Sequence, residues 1–345
     1  MTNSPAQTNL RNLSYVGMPL DRNSVLREDS QWMTSQYQSP QALFQPLYHH
    51  ANLVSGQSAS ETPKAIYLKY SEIPPNFHQS CQLVYLGDLK GGGTNHPIFA
   101  IDLSVIPEET VNEWRNRLKV TSQFTDLRRM SAFLLQSEAA ILGYARGLCF
   151  WHQNHLFCSR CGHTTVSTRG GHMRKCTNDT CAKEVYPRID PAVIMLVELI
   201  DPTDGIEKCL LGRHKGLPKG IYSTLAGYVD QGESMEEAVA REVMEEAGLL
   251  IHNADYIASQ PWPFPSALMI GFRAQTKEEN ITIALDELED AQWFSADQIR
   301  QFGEHTDTNV EKALPRKDSI ARTLIELWLQ DKTSSLDLSH HSSTQ

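Results

Sequence analysis

The chain has 345 residues, 40% of them hydrophobic, and its 41 acidic against 31 basic side chains give a formal charge of −10. That length suits about two domains with cores of their own. No Lys/Arg-rich run is present, which leaves a broad nucleic-acid-binding surface without electrostatic support.

The N-terminus, Met-Thr-Asn-Ser-Pro, has no basic segment followed by an apolar run. No stretch approaches the roughly 18 apolar residues of a membrane span, so the expectation is a cytoplasmic protein with no membrane association. The ending Ser-Ser-Thr-Gln is not of the peroxisomal Ser-Lys-Leu type. Seven cysteines, four of them clustered, suit metal binding in a reducing compartment better than a disulfide framework.

Residues 1–11 are polar and expected to form an unstructured tail. From 12 to 155, short apolar runs (Ala65-Ile-Tyr-Leu, Gln82-Leu-Val-Tyr-Leu, Pro97-Ile-Phe-Ala-Ile-Asp) alternate with turns such as Lys90-Gly-Gly-Gly-Thr and read as strands. Ala and Leu at helical spacing then predict a helix over 131–147. By themselves these residues point to no chemistry.

Cys158-Ser-Arg-Cys161 and Cys176-Thr-Asn-Asp-Thr-Cys181 follow, fourteen residues apart. Two pairs separated by Gly-rich turns have the spacing of a zinc ribbon, in which four protein thiolates close a structural Zn2+ site. Two redox motifs are the competing reading, but only the first pair is Cys-x-x-Cys. Four sulfurs complete the shell, so His163 and His172 are expected at the surface. Arg169, Arg174 and Lys175 also allow a ribbon that reads nucleic acid.

After Tyr186-Pro-Arg, Ala192-Val-Ile-Met-Leu-Val-Glu-Leu-Ile reads as a buried strand, paired with Lys208-Cys-Leu-Leu-Gly-Arg across an Asp201-Pro-Thr-Asp-Gly turn. A strand over 222–229 feeds a Gly loop. Ser234 with Glu237 forms a capping box and Gly248 supplies a left-handed end, so a helix is predicted between them. Along it Glu242, Glu245 and Glu246 stand at i, i+3 and i+4 and share a face. From 227 to 250 seven acids meet one base, Arg241. Like charges at that spacing destabilise a helix by roughly 0.2–0.5 kcal/mol per pair. A solvated acidic face is the plain reading; a hard divalent cation with phosphate oxygens in its shell is the chemical one. Gly227, five residues, Glu233, seven residues, Arg241-Glu242, Val243, one residue, Glu245-Glu246, one residue and Gly248-Leu249 match the Nudix box without a departure. The sequence therefore resembles the Nudix hydrolases, which cleave nucleoside diphosphates linked to another moiety.

Next comes Ser259-Gln260-Pro261-Trp262-Pro263-Phe264-Pro265-Ser266-Ala267. Its alternating prolines predict an extended segment with Trp262 and Phe264 held apart, either a Pro-rich loop on its own core or a wall for stacking flat rings. It resembles the Ser-Gln-Pro-Trp-Pro-Phe-Pro-x-Ser signature of the NADH pyrophosphatases, with Ala267 in place of the final Ser. Pro19-Leu-Asp-Arg22, Leu127-Arg128, Trp151-His152, Tyr186-Pro187 and Ser319-Ile-Ala321 extend the resemblance over nearly the whole chain. The second cysteine pair is wider than in bacterial members.

The resemblance implies an α+β chain: a mixed α/β domain over 12–155, a small zinc ribbon over 156–187, a Nudix α/β/α sandwich with a mixed sheet over 188–331, and an unstructured tail over 332–345. A terminal helix over about 320–330 packs Ile320, Leu324, Leu327 and Trp328. The activity implied is metal-dependent hydrolysis of NADH or NAD+ to NMN(H) and AMP by water attack on phosphorus. Glu242, Glu245 and Glu246 are then catalytic. Mg2+ or Mn2+ is held by Glu242, Glu246, Glu287 and the Ala226 carbonyl, and Zn2+ by Cys158, Cys161, Cys176 and Cys181. Tyr186, Tyr228, the 259–267 array and Ala321 contact the dinucleotide. Either Glu245 or Glu246 accepts the water's proton, while Arg241 and Glu233 hold the loop to the helix. The alternatives are removal of NAD from RNA 5′ ends, hydrolysis of ADP-ribose or another nucleoside diphosphate sugar, and a zinc-dependent RNA-binding protein with a vestigial site. The intact glutamates argue against the last. A homodimer is also implied.

Overall fold

The computed structural model describes residues 13–55, 62–91, 93–200, 205–216, 218, 220–283, 287–307 and 309–341. The expected tail over 1–11 lies outside them. Contacts divide the chain into two units: Ser14–Ile189 together with Trp262–Ser266, and Asp190–Pro261 together with the chain from Ala267 on.

The first unit is built on strands β1 (Leu43–Tyr48), β2 (Ala51–Ser55), β3 (Leu68–Lys69), β4 (Gln82–Gly91), β5 (Thr94–Asp102) and β6 (Ser122–Thr125). Their order is β4-β5-β1-β2-β6, with β3 also on β1, and only β1 and β5 run parallel. Both faces of β1 are covered. Phe44, Leu53, Tyr85, Phe99 and Ile101 pack with Phe77 and Trp114 on one side. Leu47, Val84, Ile98 and Ala100 meet Ile141, Ala145 and Leu148 of the helix Gln136–Gln153 on the other. The ribbon follows as β7 (Thr165–Thr168), β8 (Met173–Cys176) and β9 (Glu184–Val185), paired in that order.

The second unit carries β10 (Asp190–Ile200), β11 (Glu207–His214), β12 (Leu225–Tyr228), β13 (Asn253–Trp262), β14 (Ala267–Thr276) and β15 (Leu288–Ser295). Their order is β13-β14-β10-β11-β15, with β12 also on β10 and only β10 and β14 parallel. Strand for strand this repeats the first sheet. The helix after the third strand differs: Pro75-Asn-Phe-His-Gln-Ser80 in the first unit has no acid, and Met235–Ala247 in the second has five glutamates. One topology therefore occurs twice, and only the second copy carries the carboxylate helix.

Val193, Met195 and Val197 on one face of β10 pack with Val239 and Val243 of that helix. On the opposite face Gly271, which pairs with Ile194, leaves room for the terminal helix: a Cβ there would lie 2.8 Å from Ile320 Cδ1. The expected helix–sheet–helix layering is present, and the mixed sheet with it.

Several local expectations are corrected. Residues 65–68 form only a bridge from Ala65 to Val54 and the two-residue β3. The helix expected over 131–147 begins as a short 3₁₀ turn at Ser131–Phe133, is interrupted, and runs as Gln136–Gln153. The terminal helix continues to His341 rather than ending near 330, since residues 331–341 contain no Pro or Gly to stop it. Residues 332–341 of the expected tail are thus helical, and 342–345 lie outside the described residues. The turn at 201–204 also lies outside them, though Ile200 pairs with Glu207 as the hairpin requires. No helix among the described residues is long and apolar enough to cross a membrane.

Candidate active site

The helix Met235–Ala247 starts and stops where the sequence places it. Ser234 Oγ accepts from the Glu237 N–H at 3.2 Å, and the Glu237 carboxylate accepts from the Ser234 N–H at 2.6 Å. Gly248 ends the helix at φ 69°, its N–H bonded to the Met244 carbonyl. Ala238, Val239, Val243 and Ala247 enter the core. Glu242 and Glu246, one turn apart, border that apolar face and are buried at 8% and 1% exposure. Glu245 stays open to solvent.

Gly227 on β12 lies directly against Glu242. A Cβ on Gly227 would stand 1.8 Å from the Glu242 carboxyl carbon, so the first glycine of the box is required by close approach. Arg241 then ties loop to helix. Its Nε and Nη2 donate to both oxygens of Glu233, Nη2 to the Tyr228 carbonyl at 2.8 Å, and Nη1 to Glu242 and Glu245 at 2.9 Å each. Arg241 holds the Glu233 carboxyl below its usual range, with the Asp230 amide adding to the effect. The expectation that Arg241 and Glu233 fasten the loop agrees with this geometry.

Among the described residues Glu246 has no such partner, and both its carboxylate oxygens are buried without a hydrogen bond. Burial first, and then the Glu242 and Glu287 carboxylates, push its pKa up to about 8. The Ala226 backbone acts on the same carboxyl in the opposite sense, although no hydrogen bond of ordinary geometry joins them. Glu242 is also raised by burial, against the lowering effect of Arg241.

A buried carboxylate without a partner is costly, and a cation beside it removes the penalty. The side-chain donors nearby are all oxygen: Glu242, Glu246 and Glu287. That set fits a hard divalent ion. These carboxylates are gathered less tightly than the cysteines. Among the described residues, only the four thiols bring three or more ligand atoms within 4.8 Å of one another.

The 259–267 array differs from the extended wall expected. β13 ends at Trp262, and the Phe264 N–H turns back to the Trp262 carbonyl at 2.7 Å. The Trp262 and Phe264 rings therefore meet edge to face, centroids 5.3 Å apart at 75°, and both meet Tyr15 in the same manner. Gln260 is fully buried, its amide donating to the Asp318 carbonyl and accepting from the Ile320 N–H, both at 2.8 Å. It anchors the start of the terminal helix, so its amide is committed to backbone rather than offered to a dinucleotide. Ala267 and Ala321 are buried and Ser259 and Ser266 half-buried; Pro263 is buried while Pro261 and Pro265 are exposed. Tyr186 and Tyr228 are exposed at 52% and 57%. Tyr186 belongs to the first unit and Tyr228 to the second.

In the ribbon the Cys161–Cys176 and Cys158–Cys181 sulfurs lie 3.4 and 3.8 Å apart. A disulfide needs about 2.0 Å; tetrahedral thiolates at about 2.3 Å from zinc lie about 3.8 Å from each other. The cluster thus has zinc geometry. His172 corrects the surface expectation: it is buried at 8%, with Nε2 on the Tyr85 carbonyl at 2.7 Å. Arg174 is buried too, bonded to Thr165, Gln82 and His152, and Arg169 pairs with Glu28 at 3.2 Å. Buried in this way, Arg174 is not offered to nucleic acid. Sequence reasoning missed these uses because a basic residue's type gives no sign of what it packs against.

Comparison with known proteins gives three family matches in chain order. Residues 37–151 match an NADH pyrophosphatase-like rudimentary NUDIX domain, 153–186 an NADH pyrophosphatase zinc ribbon domain, and 190–314 a NUDIX domain. The chain is 32% identical over 342 residues to the NAD-capped RNA hydrolase NUDT12 of Homo sapiens, covering 90% of this chain and 72% of that protein. It is 38% identical over 264 residues to the NAD-capped RNA hydrolase NudC of Stutzerimonas stutzeri, covering 76% and 81%. A crystal structure of a NUDIX hydrolase from Nitrosomonas europaea covers 41% of this chain and 79% of its own, at 22% identity and a TM-score of 0.35.

Proposed function

The chain belongs to the Nudix hydrolases of the NADH pyrophosphatase type, and from that premise we propose that it hydrolyses the pyrophosphate of NADH or NAD+ to NMN(H) and AMP. The observation that carries this reading is the buried, partnerless Glu246 carboxylate beside Glu242 on the box helix. A site retired from catalysis has no reason to keep that arrangement.

Glu242, Glu246, Glu287 and the Ala226 carbonyl are the groups that would hold Mg2+ or Mn2+. Such an ion, when bound, neutralises charge on phosphoryl oxygens and lowers the pKa of a water. Arg241 keeps the loop that begins at Tyr228 seated on the helix, so that Glu242 and Glu245 stand at fixed positions. Either Glu245 or Glu246 takes a proton from the attacking water. Tyr186, Tyr228, Trp262 and Phe264 bind the bases. The four cysteines hold a structural Zn2+, which fixes the ribbon and has no part in the chemistry.

Removal of NAD from RNA 5′ ends is the same bond cleavage on a longer substrate. The names of the relatives from Homo sapiens and Stutzerimonas stutzeri favour it. Homodimeric association is part of the reading and is checked by sedimentation. The substrate is settled by kcat/KM for NADH, NAD+, ADP-ribose and NAD-capped RNA, each with Mg2+ and with Mn2+. NADH, NAD+ or NAD-capped RNA should lead, and ADP-ribose ahead of all three would overturn the assignment.

A further inference from the structure

Pro263 and Pro265 have no N–H, and the backbone bond that closes the turn runs from the Phe264 N–H to the Trp262 carbonyl. Further support comes from one face of the helix Gln136–Gln153, where Gly143, Arg146 and Gly147 stand at i, i+3 and i+4.

The two glycines admit the turn. A Cβ on Gly143 would lie 3.2 Å from the Pro263 ring and 3.1 Å from Tyr15, and one on Gly147 would lie 3.9 Å from Pro263. Arg146, only 7% exposed, fastens it. Its Nη1 donates to the Pro263 carbonyl, and its guanidinium lies 4.6 Å from the centre of the Phe264 ring. One side chain thus fixes both the backbone of the turn and the plane of one of its aromatics. Tyr15, edge to face with both rings, and Arg128, 5.1 Å from the centre of the Phe264 ring, add to this hold from outside the helix.

We propose that Arg146, seated between Gly143 and Gly147, is a positioning residue that sets the Trp262–Phe264 pair for the substrate's base. The proposal rests on the reading above that those two rings bind the dinucleotide.

The test is a cycle of steady-state kinetics on the full-length protein with NADH and Mg2+. The variants are Arg146→Met, Arg146→Lys, Trp262→Ala and the double Arg146→Met/Trp262→Ala, with zinc content and Tm as checks of the fold. Arg146→Met should raise KM about fivefold and change kcat less than about twofold, and Arg146→Lys, keeping the cation and a donor, should recover part of the loss. In the Trp262→Ala background Arg146→Met should add less than about twofold, because a residue acting through the turn has nothing left to position. Full additivity, or an unchanged KM in Arg146→Met while Trp262→Ala raises it, overturns the proposal and leaves the substrate reading standing. An unchanged KM in Trp262→Ala itself overturns the substrate reading, and this proposal with it. Should Arg146→Met fail to fold, Gly143→Ala takes its place. Its added methyl pushes on Pro263 and should raise KM in the same way, and an unchanged KM in it counts against the proposal.

Discussion

Gly227 and Glu242 are packed so closely that no side chain fits between them: a methyl on Gly227 would sit 1.8 Å from the Glu242 carboxyl carbon. The backbone of β12 thereby sets the height of that carboxylate. Gly227→Ala must displace Glu242, which already holds Arg241 at 2.9 Å. The expected result is a fall in kcat of about 100-fold with Tm lowered by only a few degrees. Near-normal turnover would show that Glu242 does not need its place.

Glu246 links activity to pH and metal. Its folded-state pKa, near 8, lies above the ordinary 4.5, so the folded protein prefers the protonated form. That contribution to stability is fully present below about pH 4.5 and is lost as pH rises towards 8. The Tm of metal-free protein should therefore fall across this window. Glu246→Gln should flatten the fall, and millimolar Mg2+ or Mn2+ should restore Tm of the wild type at pH 8. A wild-type profile identical to that of Glu246→Gln would remove Glu246 as the strained group.

Arg241 bonds Glu233, Glu242, Glu245 and the Tyr228 carbonyl at once. Lysine keeps the charge but lacks the planar fork that spans two carboxylate oxygens of Glu233. Arg241→Lys should lower kcat by at least about tenfold while leaving far-UV circular dichroism unchanged. Full activity in this variant would mean that charge alone suffices.

The ribbon offers a test by metal removal. Cys158, Cys161, Cys176 and Cys181 converge without forming disulfides, and Arg174 and His152 join the ribbon to the preceding helix at 2.8 Å. Cys176→Ser, or stripping of zinc by a chelator, should release about one Zn2+ per chain and lower Tm by roughly 5 °C or more. Full zinc retention in Cys176→Ser, with the melting of wild type, would contradict a four-cysteine site.

Much of this site was legible because its constraints are local. The Ser234–Glu237 cap, the Gly248 stop and the spacing of Glu242, Glu245 and Glu246 lie within one helix, where sequence separation fixes direction. What escaped depends on partners distant in sequence. Gln260 is committed to Asp318 and Ile320, far along the chain, and its type does not announce that. The Trp262–Phe264 segment reads as extended from its prolines, but a short turn closes it and Tyr15 and Arg146 receive it. The first sheet was hard to read for a related reason. Both faces of β1 are buried and Pro46 stands within it, so no alternation marks the strand. The duplication of topology is invisible in the motifs because the two helices after the third strands share no chemistry.

The central claim, hydrolysis at the pyrophosphate by the Glu242–Glu246 site, is tested most directly by identifying the products of NADH in the presence of Mg2+ or Mn2+. Wild-type protein should give AMP and NMNH in equal amounts, and Glu246→Gln should give them at least about tenfold more slowly. Free nicotinamide with an intact ADP-ribose, or wild-type rates in Glu246→Gln, would contradict the account.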